Sequence, residues 1–291
     1  MSASGDLASD VSRLLGGTAV TAAAPAGRGH AWTLYRARLA DGRDIFVKRA
    51  LGEHDSATTA ILHAEAEGLR WLRAAATDLV PPVLAADDHT LILPWLTPIE
   101  PTRAAAERLG IALAGLHSHA TDAYGAPWGG WIATLPQDNS RVTGEWGRWY
   151  ARHRLQPLLP AAAPVLGRAG VRLFEQVVDR IDDLAGPPEP PSRIHGDLWS
   201  GNLMWTRDGV LIIDPAAHGG HRETDLAMLR LFGVPGLDRI LGAYGECFPL
   251  SPGFEHRVAL HQLYPLLVHV VLFGGGYRDQ AVDAAGRALA S

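Results

Sequence analysis

The chain has 291 residues, 47% of them hydrophobic, and a net charge of −5, which is enough apolar material for one large domain or two lobes. The acidic balance and the lack of a clustered basic run argue against a nucleic-acid groove. The amino terminus has neither the basic start nor the apolar run of a signal peptide, and the apolar stretch 263–273 is interrupted by Pro265 and His269, so neither export nor a membrane partner is expected. A single cysteine, Cys247, cannot close an internal disulfide and fits a reduced, cytoplasmic compartment.

In chain order, Leu7, Val11, Leu14 and Leu15 recur at helical spacing, predicting a short amphipathic helix over 6–15 that stops at Gly16-Gly17. A Gly/Ala/Pro-rich stretch, 22–29, reads as a loop. Strand-like runs over 32–39 and 44–48 flank Asp41-Gly42, which predicts a β-hairpin. The second run ends on Lys48, the one lysine among 26 lysine and arginine side chains. A compact ammonium at the end of a strand, where arginine is otherwise used throughout, suggests a nucleotide-phosphate contact that a guanidinium would not serve. Residues 56–75 have helical periodicity, with Ile61, Leu62, Leu69 and Leu72 on one face. Glu65 falls on the same face and Glu67 does not. A carboxylate on a buried stripe needs a cation, and Lys48 is the natural partner for Glu65.

Residues 90–96 read as a strand and 97–101 as a proline-rich break. This places a small β-rich lobe over 1–96 and a larger helical lobe over 97–291. Helices are predicted over 102–118, 143–159, 171–184, 223–232, 237–247, 254–273 and 279–289. Leu93, Pro94, Trp95 and Leu96 are expected to form the inter-lobe hinge that meets adenine. Pro94 lacks an N–H, so the donor there would be Trp95 or Leu96.

The chemistry gathers between residues 194 and 214. Ile194-His195-Gly196-Asp197-Leu198-Trp199-Ser200-Gly201-Asn202 is followed by the apolar run Val210-Leu211-Ile212-Ile213, which delivers Asp214. In the protein-kinase pattern the first aspartate accepts the substrate hydroxyl proton, while the asparagine and the second aspartate hold magnesium against the ATP phosphates. Hard divalent cations want oxygen ligands, which Asn202 and Asp214 supply. With an ordinary carboxylate pKa of about 4, Asp197 would be ionised at neutral pH. Gly27 and Gly29, just ahead of the first strand of the hairpin, are candidates for backbone contacts to phosphate, with a plain flexible turn as the alternative. No Gly-x-x-x-x-Gly-Lys-Ser/Thr run exists, which removes the P-loop NTPase reading. Asp225, at the polar start of an apolar helix, reads either as a helix-start carboxylate or as a buried brace for the catalytic loop. His117, His119, His218 and His221 lack a convincing third and fourth zinc ligand, so surface or substrate-pocket roles are expected for them, His218 in the substrate pocket.

With these motifs in hand, the chain resembles the fructosamine kinase (ketosamine-3-kinase) family, which is similar in fold to protein kinases and aminoglycoside phosphotransferases. The resemblance extends over Phe46-Val47-Lys48, Ala64-Glu65-Ala66-Glu67-Gly68-Leu69, Trp131-Ile132-Ala133-Thr134-Leu135-Pro136-Gln137, His195 to Asn202 and Asp214 to Met228. The tryptophan in His-Gly-Asp-Leu-Trp-Ser-Gly-Asn separates this family from its aminoglycoside relatives. The resemblance implies an α+β, two-lobed protein-kinase-like fold, use of ATP and Mg2+, and phosphorylation of a sugar hydroxyl on a free or protein-bound ketoamine in a deglycation role. It also implies Lys48 and Glu65 at the ATP phosphates, Asp197 as base, Asn202 and Asp214 on the metal, Trp199 in the sugar pocket, and His195 and Asp225 as structural support. Many members carry tyrosines where this chain has Ala217-His218-Gly219-Gly220, so a differently shaped sugar pocket is expected. The phosphate loop lacks the cysteine that links subunits in some members, and a monomer without that redox control is expected. Gly196 stands where protein kinases have the arginine of His-Arg-Asp, so activation-loop phosphorylation is not expected. A kinase for another hydroxylated amine, such as an aminoglycoside, and a silent nucleotide-binding scaffold are the competing readings.

Overall fold

The structure, a computed structural model, describes residues 3–29, 31–51 and 56–290. His30, next to the two candidate phosphate-loop glycines, lies outside the described residues. The chain opens with α1 (Ala3–Leu14), followed by β1 (Val20–Arg28), β2 (Trp32–Leu39), β3 (Asp44–Ala50), α2 (Ser56–Arg73), β4 (Ala85–Ala86) and β5 (Thr90–Pro94). The strands form one antiparallel sheet in the order β1-β2-β3-β5-β4. Pairing opposes Lys48 to Leu34 on one side and to Leu91 on the other. Side chains alternate across a strand, so Ile45 and Val47 face one way and Phe46 and Lys48 the other. Ile45 and Val47 join Leu7, Val11, Leu39 and Ile92 in a core under α1, and the opposite face carries the functional residues.

The stretch 22–29, read above as a loop, is in fact β1, an edge strand that pairs with β2 and bulges between Pro25 and Gly27. Its alanines, glycine and proline have weak strand preference, and as an edge strand it remains largely exposed, so no alternation of apolar residues marks it.

Beyond residue 94 come α3 (Arg103–His117), β6 (Gly130–Ile132), β7 (Leu135–Gln137), α4 (Trp146–Tyr150), α5 (Gln156–Asp179), α6 (Ile181–Leu184), β8 (Ser192–Ile194), β9 (Leu203–Trp205), β10 (Val210–Ile212), β11 (His218–Gly220), α7 (Glu223–Leu231), α8 (Leu237–Cys247), α9 (Phe254–Phe273) and α10 (Arg278–Leu289). A π segment, Ala151–Leu155, joins α4 to α5, and the chain breaks at Gly167, where φ is 69°. The predicted gap at 160–170 therefore narrows to the break at Gly167, with helix on either side. Three two-stranded ribbons, β6–β7, β8–β11 and β9–β10, position the site loops. The β6–β7 and β11 strands were not expected, because three-residue strands leave no measurable periodicity.

The stretch Phe254–Leu289 is long and apolar enough by composition to cross a membrane, yet 61% of its most apolar window is buried in the fold. There Leu260, Leu263, Leu267 and Val270 pack with Phe174 of α5 and with the small face Ala281, Ala284, Ala285 and Ala288 of α10. A second core runs from Leu62, Ala66, Leu69 and Leu72 of α2 to Leu198, Leu203 and Ile212 around the catalytic loop and to Leu109, Leu113 and Tyr244 among the helices. α2 is thus packed on both the sheet and the helical part.

Candidate active site

β3 carries Lys48 to the floor of a cavity of about 410 Å³ lined by Trp32, Lys48, Glu65, Trp131, Asp197, Trp199, Asn202, Asp214 and Phe273, among others. The Lys48 Nζ donates to Glu65 Oε2 at 2.6 Å and to Asp214 Oδ1 at 3.0 Å, and it sits 4.9 Å from the centroid of the Trp32 ring. Glu65 is buried on the inner face of α2, while Glu67 is exposed and pairs with Arg70. Burial would discharge the ammonium, but Asp214 and Glu65 outweigh it and hold Lys48 above the ordinary lysine range. One ammonium serves two carboxylates unequally. Burial raises Glu65 to about 8 against the pull of Lys48. Asp214, whose side chain is half exposed, is held at about 2 by the Lys48 charge. Asp214 also adopts a left-handed backbone, φ 52°, which a residue other than glycine takes at a penalty of about 1 kcal/mol or more.

The catalytic loop follows β8. Asn202 Nδ2 donates to the Asp197 backbone carbonyl at 2.8 Å and to Asp197 Oδ2 at 3.1 Å. Its amide nitrogen is thereby committed, which leaves Oδ1 as the group that can meet a cation. Ile213 N–H donates to the Asn202 carbonyl and ties the loop to the segment carrying Asp214. The walls of the cleft desolvate the Asp197 carboxyl and push it up to about 7, with the Asn202 amide pulling the other way. Full ionisation of Asp197 at neutral pH was expected from the ordinary carboxylate value, and the partial shielding of this carboxyl by the cleft raises it above that value.

Beneath the loop, Asp225 is fully buried and accepts the N–H groups of His195 at 2.7 Å and Gly196 at 2.9 Å. It also meets His117 Nε2 at 3.1 Å, and His117 Nδ1 meets the Tyr244 hydroxyl at 3.0 Å. Of the two readings of Asp225, the brace geometry is present, and its place in the first turn of α7 satisfies the other as well. The Asp197 N–H donates to His195 Nδ1, so the ring proton sits on Nε2 and is given to the Ile213 carbonyl at 2.9 Å. His195 thus fastens its own loop to the segment that carries Asp214.

Trp199 is 39% exposed and opens onto the cavity. His218 does not. Its ring is buried in β11, its Nδ1–H donates to the Ala216 carbonyl at 2.8 Å, and it packs 5.5 Å from the Trp149 ring. The substrate-pocket expectation for His218 is corrected, because pairing of β11 with β8 turns the ring into the core. His117 and His221 are buried as well, leaving His119 as the one surface member of the four.

Pro94, Trp95 and Leu96 line a separate cavity of about 1160 Å³ with Val80, Arg108 and Leu211, and Leu93 is buried in the core. The Trp95 N–H is taken by the Asp44 carbonyl at 3.0 Å. Of the two adenine donors considered, Leu96 is the one with no partner among the described residues. At Gly29 a Cβ would collide with the Trp32 indole, the ring that covers Lys48, so the glycine is needed for packing at least. Sequence reasoning gave no role of their own to Trp32, Ile61, Trp131, Thr134, Leu272 and Phe273, which line the cavity. Motif spacing could not find the last two, some 60 residues beyond Asp214, but the exposed-aromatic end of an apolar helix was a signal.

A family profile described as fructosamine kinase matches residues 7–291. The chain belongs to the fructosamine kinase family. A crystal structure of a candidate fructosamine-3-kinase from Thermobifida fusca superposes with a TM-score of 0.94 at 48% identity, covering 98% of this chain and 99% of that one. The "Probable ketoamine kinase YniA" of Escherichia coli strain K12 is 34% identical over 276 residues, 92% of each chain. A macrolide 2'-phosphotransferase type I shares the fold, with a TM-score of 0.65 at 18% identity over 98% of this chain and 96% of that one. The fold is therefore that of the protein-kinase-like phosphotransferases, with an antiparallel sheet followed by a helical part.

Proposed function

We propose that the protein is an ATP-dependent kinase that phosphorylates a sugar hydroxyl of a ketoamine, free or protein-bound, in a cytoplasmic deglycation role. The observation that carries this reading is that Asp197, Lys48, Asp214 and the exposed Trp199 open onto one cavity in a member of the fructosamine kinase family. In this assignment Lys48, held by Glu65, contacts ATP phosphate oxygens, Gly27 and Gly29 approach the phosphates, and the 93–96 segment meets adenine through Leu96. The lobes divide at 96/97 and the chain acts as a monomer.

Asn202 Oδ1 and the Asp214 carboxylate are hard oxygen donors suited to Mg2+, which when bound would neutralise charge on the transferring phosphoryl group. Asp197 accepts the proton of the acceptor hydroxyl as that oxygen bonds to the γ-phosphorus and the bond to ADP breaks. A carboxyl titrating near neutrality is well matched to hold that proton and return it to solvent.

The test is a panel of acceptors with ATP and Mg2+. Ribulose-lysine or a glycated peptide is expected to be phosphorylated and aminoglycosides are not, and the reverse pattern would overturn the assignment. Asp197→Asn is expected to lower kcat by about 100-fold or more with little change in the KM for ATP.

A further inference from the structure

Five aromatic side chains from three stretches of chain meet at the mouth of the cavity. Trp199 stands edge-on to Phe232 at 6.0 Å between ring centroids, Phe232 lies 4.9 Å from His269, and His269 lies 5.4 Å from Phe273 and 4.7 Å from Tyr277. Phe273 and Tyr277 close the group at 6.0 Å. Both ends of this wall touch the cavity, because Trp199 and Phe273 line it together with Leu272. The wall is apolar in its chemistry as well. His269 gives its Nδ1 proton to the Pro265 carbonyl at 2.7 Å, and burial lowers its affinity for a second proton.

Phe273 is 64% exposed, the most exposed of the large hydrophobic residues named on the surface. It is the last residue of α9, and Gly274, at φ 73°, turns the chain away and leaves the ring projecting. Large exposed apolar surface continuous with a pocket is a recognition surface more often than a packing remnant. Opposite it, the polar floor holds three carboxylates, Glu65, Asp197 and Asp214, against one ammonium, Lys48.

We propose that the Trp199–Phe273 wall is the subsite for the amine-side substituent of the acceptor and that Phe273 selects apolar or aromatic substituents there. The inference rests on the ketoamine reading above. In a ketoamine the sugar and the amine substituent diverge from one secondary ammonium. With the sugar hydroxyl at Asp197, the substituent leaves toward the mouth, where aromatic rings bury its apolar surface and the cationic nitrogen gains from ring faces. Phe273 is a specificity residue and takes no part in the bond-making step.

The experiment compares the ribulose adducts of methylamine and of phenethylamine, each with ATP and Mg2+. The wild-type protein is expected to favour the phenethylamine adduct by about 10-fold in kcat/KM, and Phe273→Ala and Phe273→Ser to reduce that preference to about 2-fold. The loss should fall on KM for the phenethylamine adduct, about 5-fold more than on KM for the methylamine adduct. Retained preference in both variants, or an equal loss for both adducts, would overturn the subsite while leaving the ketoamine reading intact. Turnover of neither adduct by the wild-type protein would sink that reading and the subsite with it. Thermal midpoints of the two variants, compared with wild type, check the fold independently of the assay.

Discussion

Gly196 is the residue that allows the catalytic turn. Its φ is 80°, and a Cβ there would fall inside the van der Waals limit of the Ala216 carbonyl oxygen. Gly196→Ala is therefore expected to lower stability by about 2 kcal/mol or more, read as a lower urea midpoint with an unchanged slope. The same substitution should impair turnover, because the Gly196 N–H is one of the two that Asp225 fixes. At this scale the sequence was informative where chemistry restricts residue type. Lys48, Glu65, Asp197, Asn202 and Asp214 were all named from composition and spacing, and the structure brings them onto one cavity. His218 was misplaced, since a histidine next to a site motif reads the same whether its ring faces substrate or core. The raised Asp197 carboxyl was equally hidden, because desolvation depends on walls contributed by remote segments.

The helical elements show close packing that constrains single positions. α3 crosses α8 at Gly110, where a Cβ would clash with the Ile240 carbonyl and lie 3.0 Å from the Tyr244 nitrogen. Gly110→Ala gains helix propensity worth about 1 kcal/mol, yet forcing these backbones apart should cost more, about 1–3 kcal/mol net. Thermal unfolding would show a lower midpoint, and an unchanged or raised midpoint would contradict the close crossing. Because His117 reaches Tyr244 and Asp225 across this contact, the same variant should also weaken catalysis. Long helices were legible from their 3.6-residue stripes, and α9 was bounded at 254–273 as predicted. Edge strand β1 and the short strands β6, β7 and β11 were not, because their pairing partners, rather than their own residues, decide their conformation.

Across the whole molecule, buried neutral histidines link stability to pH. Burial lowers both His218 and His221 from 6.5 to about 3. The unfolded chain therefore binds protons between pH 6.5 and 3 that the folded chain refuses, and their share of stability falls as pH drops through this window. Glu223, lowered from 4.5 to about 2 as Arg257 overcomes its burial, adds a loss that begins only below pH 4.5. Each histidine subtracts up to about 1.4 kcal/mol per pH unit below 6.5, while Glu65 and Asp197, raised to about 8 and about 7, add stability as pH falls through the same range, so the histidine contribution is read from the difference between two proteins. Relative to wild type, His218→Gln should retain more of its thermal midpoint at pH 5 than at pH 7, and an unchanged difference between the two would remove His218 from the account. The division into a sheet-rich and a helix-rich part was legible at this scale from the order of elements, but their shared core was not, since apolar stripes do not declare their partners.

That shared core bears on control. Gly68 of α2 approaches Ala217 so closely that a Cβ would lie 3.1 Å from the Ala217 Cβ, and Arg193 grips the Trp71 carbonyl at 2.5 Å. Swinging α2 outward would open these contacts and part Glu65 from Lys48 in the same movement, so displacing the ion pair also costs core packing.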